Sequence, residues 1–244
     1  MADKNRRQEK PETIFAKTIF NPQVSQFLAA LSVMKTGFFV NSLPAKTAEL
    51  LSLFQKNQPE FLNNFYLSGG TALSLLLGHR ESEDLDWFNQ QGFDPIRLQP
   101  KLEMIGRLSR VELEENTLNA YINGVKIQFL GYPYPLLEPT TKLQNLNISS
   151  LIDIACTKLQ TIGMRGSKKD FIDLFWLLQQ FDLEELLGKL KQKYLGTDYN
   201  QPHILKSLVY FANADGQPMP RLHQPASWEE IKQQLINSVK TIRL

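Results

Sequence analysis

The 244-residue sequence is 42% hydrophobic and 21% charged, carries a formal net charge of +2 and contains a single cysteine. This composition predicts a water-soluble globular protein with a sizeable core, in one domain or two closely packed ones. A charge this close to zero does not by itself indicate a nucleic-acid-binding protein. One cysteine, Cys156, excludes an intrachain disulfide framework and a thiolate metal cluster. Its apolar helical surroundings favour a core position over a nucleophilic role.

The chain has no apolar run of membrane-spanning length, and its first residues lack the apolar segment of a signal peptide. We therefore expect a cytoplasmic protein without membrane contact. Its basic residues are grouped in residues 4–10, 165–169 and 189–193. Such groups form either solvated helix faces or a phosphate-binding surface, and the pattern leaves both open.

The first third of the chain predicts two helices, then a strand, a turn and a short helix. Residues 1–20 are expected to be a polar N-terminal arm, and apolar spacing predicts helices over 21–39 and 44–56. A short strand, Phe65–Leu67, enters a Gly-Gly turn, and a helix over Thr71–Leu77 follows, ended by Gly78. The next strand is predicted over Ser82–Phe88.

Hairpin strands are predicted in the middle of the chain. A helix over 98–108 precedes strands over 110–115, 117–122 and 125–130, with Asn123-Gly124 as a hairpin turn. The Gly-Tyr-Pro-Tyr-Pro segment at 131–135 is expected to end the sheet, because prolines do not fit a central strand.

Helical spacing dominates the rest of the chain. Helices are predicted over 150–162, 169–181, 183–194, 202–211 and 228–242. The predicted fold class is α+β: a small mixed sheet with flanking helices over 21–147, followed by a helical C-terminal domain over 148–244.

A Gly-Gly turn and a pair of aspartates form the most informative pattern. Gly69 and Gly70 stand between a strand and a helix, where backbone N–H groups can approach a phosphate at the positive end of the helix. Asp84 and Asp86 stand two residues apart on a strand, so both side chains share one face and can hold one hard cation. A phosphate cradle beside a carboxylate pair suits metal-assisted transfer from a nucleoside triphosphate.

These residues resemble a known family signature. The sequence Gly-Gly-Thr, followed by Gly-His-Arg-x-Ser-x-Asp-x-Asp, is similar to the signature of the nucleotidyltransferase superfamily that includes DNA polymerase beta. The closer resemblance is to the AbiEii-type nucleotidyltransferases, the toxins of abortive-infection and type IV toxin–antitoxin systems. A second block, Ile154–Leu178, follows at the expected place, and its matching residues are Lys158, Arg165, Lys169, Asp170 and Asp173. The resemblance spans roughly residues 60–180.

The resemblance implies roles for individual residues. Asp84 and Asp86 would hold Mg²⁺, or Mn²⁺ in its place. The implied catalytic residues are Asp84, Asp86, Lys158 and Asp170. The implied nucleotide-binding residues are Ser68, Gly69, Gly70, Thr71, Arg80 and Ser82.

Several of these residues also have structural interpretations. Thr71 can be a helix N-cap, and Arg80 can pair with Glu81 or Glu83 instead of a phosphate. His79 is expected to pack or cap rather than act as a base.

The second block carries the same ambiguity. Lys158 lies on an apolar helix and either extends to solvent or faces the cleft. Asp170 and Asp173 also suit the first turns of a helix, and Asp173 can be the structural partner of Asp170.

The chain departs from the superfamily pattern at one position. Gln128 stands on the strand where many polymerase-beta-like enzymes carry a third carboxylate, and an amide is a poor partner for a second Mg²⁺. Glu112 or Glu114 on a neighbouring strand can substitute, although alternation more simply places both on the solvent face.

Three hypotheses for function follow. The favoured one is an enzyme that transfers a nucleotide from a nucleoside triphosphate to an acceptor hydroxyl and releases pyrophosphate. The resemblance implies a tRNA 3′ end or a protein as acceptor, growth arrest as outcome and a cognate antitoxin as partner. The proton acceptor would be Asp170 or a carboxylate of the pair acting through water. The expected acceptor platform is the C-terminal helical half, with Lys189, Lys191, Lys193 and Lys206. The alternatives are a nucleotide-binding module without turnover, supported by Gln128, and a kinase-like transfer of the γ-phosphate.

Overall fold

A computed structural model describes residues 37–197 and 200–243. The predicted polar arm and nearly all of the helix predicted over 21–39 lie outside these ranges. Residues 37–39, the end of that predicted helix, form a bend and not a helix. Among the described residues, no helix is both long and apolar enough to cross a membrane.

The described chain forms a seven-stranded mixed sheet in the order β3-β4-β5-β2-β1-β7-β6. The strands are β1 (Tyr66–Ser68), β2 (Leu85–Asn89), β3 (Leu108–Glu114), β4 (Thr117–Ile122), β5 (Val125–Gly131), β6 (Thr141–Leu143) and β7 (Leu146–Ile148). The central strand β2 runs antiparallel to β1 and parallel to β5. The α+β fold class predicted from the sequence is confirmed.

The helices lie at predicted positions, with bounds that differ by up to about five residues, but the short helix Ala212–Asp215 was not predicted and the helix predicted over 21–39 falls almost wholly outside the described residues. They are α1 (Ala45–Asn57), α2 (Gly69–Leu77), α3 (Pro95–Glu103), α4 (Leu151–Met164), α5 (Lys168–Leu177), α6 (Leu183–Lys193), α7 (Gln201–Leu208), α8 (Ala212–Asp215) and α9 (Trp228–Lys240). Short 3₁₀ turns cover Val40–Ser42 and Glu60–Asn64. Helix α3 begins three residues earlier than predicted because the Asp94 side chain caps it and Pro95 suits its first position.

Alternation along the central strands separates a core face from a cleft face. Leu67, Trp87 and Phe129 lie in one row across β1, β2 and β5, and all three are fully buried. The next row places Asp86 beside Ser68 on β1 and Gln128 on β5. Since in-register residues point to the same side of a sheet, this second row brings the polar residues to one face.

The sheet does not end at residues 131–135, and that prediction is wrong. The prolines there do end β5, but the chain then crosses to the other edge and forms the β6–β7 hairpin. Leu67 on β1 pairs in parallel with Ile148 on β7. These strands have only three residues each, too few for a period-two pattern to be distinctive. The β6–β7 hairpin spans the predicted boundary between residues 147 and 148. The division of the chain into two domains at that point remains a prediction.

Two element starts near the glycines differ from the prediction. Helix α2 begins at Gly69, with Ser68 as its N-cap residue in an extended conformation, so Thr71 lies inside the first turn and is not the cap. Strand β2 begins at Leu85, which leaves Ser82 to Asp84 as a non-strand approach to it.

Candidate active site

Asp86 lies at the floor of a cleft of about 330 Å³ between the sheet and α4. It is the second residue of β2, and its side chain is half-buried. Burial, together with the neighbouring charge of Asp84, raises the pKa of Asp86 to about 6, against the opposite influence of Lys158, Lys126 and Arg165. A carboxylate whose ionisation is opposed by burial and by a neighbouring negative charge is stabilised by a bound cation.

The main chain at Asp84, in the segment before β2, is held by hydrogen bonds from two threonine hydroxyls. The hydroxyl of Thr71 donates to the main-chain carbonyl of Asp84, and its Oγ1 lies 2.9 Å from Oγ of Ser82. On the other side, Thr47 on α1 donates to the carbonyl of Glu83 at 2.8 Å. Because Thr71 and Ser82 are nearly fully buried and hydrogen-bonded, their contacts support a role in fixing this segment.

The two glycines leave the space that the acidic and basic side chains occupy. Gly69 has a φ of +67°, and a Cβ there would overlap Oδ2 of Asp86. A Cβ on Gly70 would stand 2.6 Å from a terminal nitrogen of Arg80 and 3.2 Å from Oγ of Ser82. The first turn of α2 therefore contacts the carboxylate side chain directly, with its backbone N–H groups at the cleft.

We expect Gly69→Ala to disable the site while leaving the rest of the fold in place. The new methyl group must displace the Asp86 carboxylate, and alanine is strained at positive φ. Nucleotide transfer should fall by about 100-fold or more, the order expected when a catalytic group is misplaced by about 1 Å. The measurement is the transfer rate beside a circular dichroism spectrum. Gly188→Ala, at an exposed position of α6 where a Cβ meets nothing within 4 Å, is the control.

A buried ion-pair network lies behind the glycines, centred on Asp173. Arg80 donates to both oxygens of Asp173, from Nε at 2.6 Å and from a terminal nitrogen at 2.8 Å. Nζ of Lys158 lies 2.7 Å from Oδ2 of Asp173, and Nε2 of His79 lies 2.8 Å from Oδ1. Arg80 thus pairs with the side chain of Asp173 and not with that of Glu81 or Glu83. The sequence did not predict this pairing, because the two residues are 93 positions apart.

Charge pairing outweighs burial for Asp173, whereas burial prevails for His79. Burial alone would raise the pKa of Asp173, yet Arg80 and Lys158 hold it well below its usual range. Burial lowers the pKa of His79 despite the attraction of Asp173. The ring of His79 is therefore neutral at physiological pH and donates its Nε2 hydrogen to Asp173, which agrees with the expected packing role.

Lys158 faces the cleft and links Asp173 to Asp170. Its Nζ donates to Oδ1 of Asp170 at 2.9 Å, and its side chain is only 9% exposed. Asp170 also accepts from the hydroxyl and the backbone N–H of Ser167 in a capping box at the start of α5. Burial opposes ionisation of Asp170, but Lys158 and Ser167 together lower its pKa. Both predicted residues therefore line the cleft as an ion pair.

Gln128 is in register with Asp86 and contributes an amide where the superfamily pattern has a carboxylate. Glu112 lies on β3, two strands away from Gln128 on β5. In the register between them, Gln128 pairs with Asn119 on β4, and Asn119 pairs with Glu112. Both Glu112 and Glu114 are exposed. Within residues 37–197 and 200–243, no three His, Cys, Asp or Glu side chains are grouped to hold a metal ion.

The donor set still fits one hard divalent cation. Asp86 supplies a carboxylate oxygen beside the amide oxygen of Gln128, its cross-strand neighbour, and Asp84 supplies a second carboxylate from the segment just before β2. The raised pKa of Asp86 indicates that the positive side chains around this carboxylate do not offset its burial and the negative charge of Asp84. A bound cation would supply the missing positive charge.

Sequence reasoning missed most of the cleft wall contributed by α4. The wall consists of Ile154, Thr157, Lys158, Gln160, Thr161 and Met164 on α4, and of Arg165 directly after it. Threonine and glutamine at helical spacing beside Lys158 on an otherwise apolar helix are a signal that could have identified it. Tyr132, which closes the apolar end of the cleft with Phe88 and Leu130, lies in the proline-rich segment and carried no such signal.

One predicted member of the acceptor platform is buried. Lys193 is 2% exposed and donates to Oδ1 of Asp153 at 2.6 Å and to the carbonyl of Pro135 at 2.7 Å. Its placement in that platform is therefore wrong. The sequence places Lys193 in an alternating basic run, but the helical period of α6 turns it inward while Lys191 stays exposed.

Comparison with known proteins agrees with this geometry. The family model described as "Nucleotidyl transferase AbiEii toxin, Type IV TA system" matches residues 52–241. An uncharacterized protein of Aquifex aeolicus (strain VF5) is 38% identical over 184 residues, which are 73% of this chain and 87% of that protein. The nucleotidyltransferase toxin MenT4 of Mycobacterium tuberculosis H37Rv has a similar fold, with a TM-score of 0.50 and 16% identity over 82% of this chain and 87% of that one. The chain belongs to the AbiEii nucleotidyltransferase toxin family, as its motifs predicted, and is a nucleotidyltransferase.

Proposed function

We propose that this protein transfers a nucleoside monophosphate from a nucleoside triphosphate to an acceptor hydroxyl, with Mg²⁺ at Asp84 and Asp86. Pyrophosphate is the second product, and the acceptor is a tRNA 3′ end or a protein. The observation that carries the proposal is the position of Asp86. It lies in one cleft with the Gly69-Gly70 turn and with Lys158.

Positioning and electrostatic stabilisation account for most of the catalysis in such a transfer. Mg²⁺, or Mn²⁺ in its place, would neutralise charge on the triphosphate. The backbone N–H groups at the start of α2 bind phosphate oxygens. Lys158 adds a fixed positive charge, because Asp170 and Asp173 hold its ammonium group in one orientation.

The contacts of Asp170 favour an orienting role over proton transfer. Both of its oxygens are engaged, by Lys158 and by Ser167, and its pKa is lowered. A general base works best when its pKa lies near the working pH. We therefore assign the acceptor proton to a carboxylate of the pair acting through water.

The contacts of Arg80 likewise favour an orienting role over direct contact with the nucleotide. Its guanidinium group is bound to Asp173 and to the carbonyl of Glu81. Arg165 is exposed, lines the cleft and lies 3.5 Å from Asp170. It is thus the cation best placed to meet a phosphate that enters from solvent.

The test is incubation with each α-³²P-labelled nucleoside triphosphate, Mg²⁺ or Mn²⁺, and total tRNA. Label on tRNA that depends on Asp84 and Asp86 supports the proposal and identifies the acceptor. Label on a protein keeps the transfer chemistry and names the other acceptor class. Bound nucleotide without any transfer contradicts the proposal. Parallel γ-³²P labelling distinguishes a kinase-like reaction, which leaves a nucleoside diphosphate and no pyrophosphate.

Gln128 favours one second candidate, a nucleotide-binding module without turnover. An amide beside Asp86 removes a charge that a second Mg²⁺ would need. Such a module would bind nucleotide without releasing pyrophosphate. Measurable pyrophosphate release from the unaltered chain eliminates it.

The cellular role that we propose is that of a toxin restrained by a cognate antitoxin, as family membership implies. Induced expression of the chain alone should stop growth. The Asp84→Asn/Asp86→Asn form should not, at equal protein level.

A further inference from the structure

The cleft lined by Asp86 changes in polarity along the direction of the strands. Asp86 and Gln128 form a polar row, and Phe88 and Leu130, two residues farther along β2 and β5, form an apolar row on the same face. Tyr132 lines the cleft beyond them. A nucleoside triphosphate has a matching polarity, because it carries a charged triphosphate at one end and a flat base at the other.

Charged groups gather at the end of the cleft that adjoins the glycines. Nζ of Lys158 lies 2.7 Å from Asp173, which also binds Arg80. A Cβ on Gly70 would stand 2.6 Å from a terminal nitrogen of that same Arg80. Asp84 lines a separate cleft of about 360 Å³. The triphosphate is therefore attracted to the glycine end, which leaves the apolar end for the base.

The ring of Tyr132 is held from the protein side. Its centre lies 4.7 Å from that of Phe88 and 4.9 Å from that of Tyr134, and its hydroxyl is hydrogen-bonded to the hydroxyl of Tyr194. Nζ of the buried Lys193 lies 5.8 Å from the ring centre. Tyr132 itself is half-buried and lines the cleft, so the ring is fixed and still partly open to a ligand. Such a ring is a stacking platform for a base.

A buried ion pair ties the segment that follows Tyr132 to α4. Lys193 and Asp153 lie 2.6 Å apart, and their side chains are 1% and 2% exposed. Lys193 also donates to the carbonyl of Pro135 at 2.7 Å, and Asp153 accepts from the backbone N–H of Leu137 at 3.0 Å. Two buried charges are costly to desolvate, and the proposed transfer gives this pair no chemical role. Its contacts make Lys193 and Asp153 positioning residues for the Tyr132 ring.

Gln160 is a polar side chain that lies on the Tyr132 side of α4. Residues seven apart fall on nearly the same side of an α-helix, whereas residues five apart are turned by about 140°. Asp153 and Gln160 therefore share one side of α4, and Lys158 is turned away from it. Gln160 is half-buried in the cleft lining, and its side chain makes no hydrogen bond to any described residue. Its amide is thus free to donate and to accept at the edge of a base.

We infer that the base of the nucleoside triphosphate stacks on the Tyr132 ring at the apolar end of this cleft, and that the Gln160 amide pairs with its edge and selects among the four bases. This inference rests on the proposed nucleotide transfer and assigns the part of the site that chooses the nucleotide. The triphosphate then extends toward Gly69 and Gly70.

The first test compares nucleotides with a ligand that has no base. The full chain in Mg²⁺ is titrated calorimetrically with each of the four nucleoside triphosphates and, separately, with inorganic tripolyphosphate, without an acceptor. Tyr132→Ala should weaken nucleotide binding by about 5- to 100-fold, the loss expected when a base loses its stacking partner. Tripolyphosphate binding should stay within about twofold, since it needs no stacking partner, and its retention shows that the variant is folded.

Two further tyrosine variants complete this test. Tyr132→Phe keeps the ring and should bind nucleotides within about threefold of the unaltered chain. Tyr210→Ala, at an exposed tyrosine after α7, is the matched control and should leave every affinity unchanged.

Gln160→Ala should narrow the differences among the four nucleotide affinities. The unaltered chain should prefer one nucleotide over the weakest by about 5- to 100-fold, the discrimination that one paired base edge provides. In the variant this preference should fall to within about threefold. Gln180→Ala, at an exposed glutamine after α5, is the matched control and should keep the full preference.

Asp153→Asn/Lys193→Met tests the positioning role. The double substitution removes both buried charges and leaves neither one unpaired. It should raise the KM for the nucleoside triphosphate and leave both kcat and tripolyphosphate affinity within about twofold, because the platform moves while the phosphate end stays in place. An equal loss of nucleotide and tripolyphosphate binding would contradict this role.

Three results would overturn the inference. They are equal weakening of nucleotide and tripolyphosphate binding by Tyr132→Ala, equal affinity of the unaltered chain for all four nucleotides, and a preference that survives Gln160→Ala. Failure of the proposed transfer is recognised separately, since base-selective binding at Tyr132 would then persist without pyrophosphate release.

Discussion

Asp84→Asn/Asp86→Asn should reduce nucleotide transfer by a factor on the order of 10³ or more. The reason is that charge stabilisation by a bound cation lowers the activation free energy of transfer by several kcal/mol. The two amides keep the shape of the site but remove the negative charge that attracts a divalent cation. The measurement is label transfer at saturating Mg²⁺, with Mn²⁺ affinity followed by the paramagnetic signal of free Mn²⁺. Both should fall together.

The same double substitution should leave the fold intact and slightly raise its stability. The two carboxylates repel one another, and Asp86 is poorly solvated, so neutral amides relieve an unfavourable interaction. Urea denaturation measures this. Asp182→Asn, at an exposed residue before α6 that makes no side-chain cap, is the matched control for a carboxylate-to-amide change. Undiminished transfer by the double variant would contradict the metal-site assignment.

Asp173→Ala should cost about 3 to 5 kcal/mol in the free energy of unfolding, the loss expected when one partner of a buried ion pair is removed. Arg80 and Lys158 would then be buried cations that share too little negative charge, and His79 would lose its acceptor. The measurement is urea or thermal unfolding. A loss below about 1 kcal/mol, comparable to that of a surface substitution, would show that the ion pairs of Asp173 do not stabilise the fold as its contacts indicate.

The same network gives a pH dependence of definite sign. The pKa of Asp173 is lower in the folded protein than its ordinary value near 4. A carboxyl with a depressed folded pKa contributes stability that is fully present above its unfolded pKa and lost as pH falls below it. Stability should therefore decline progressively below about pH 4. Asp173→Asn should decline less steeply over that interval, whereas Asp182→Asn should follow the unaltered chain.

The elements around the site were largely predictable because their signals are local. Gly69, Gly70 and Gly78 bracket a short apolar helix, and the alternation of β4 and β5 around Asn123-Gly124 predicts the hairpin that brings Gln128 beside Asp86. The β6–β7 hairpin was missed, because each strand is short and its pairing with β1 spans about 80 residues of chain.

The partners of the charged residues could not be predicted in the same way. Arg80 and Asp173 are 93 residues apart, and Lys193 and Asp153 are 40 apart. Alternation and helical spacing assign a side chain to a face, but they do not say which distant group covers that face. Hence Glu81 and Glu83 were reasonable partners for Arg80 by proximity in sequence, and Lys193 was a reasonable surface lysine.

The sequence alone indicated the type of chemistry, since glycines at a helix start and two aspartates two residues apart are signals within a few residues of chain. The prediction that both aspartates share one face of a strand is not confirmed, because β2 begins at Leu85 and Asp84 precedes it. Only the tertiary structure decided how these groups are used. It placed Lys158 between Asp170 and Asp173, showed that Thr71 and Ser82 hold the approach to Asp84, and divided the carboxylate pair between two clefts. The physical reason is that ion pairing and burial depend on distances between remote segments, which the packing of α2, α4 and the sheet creates.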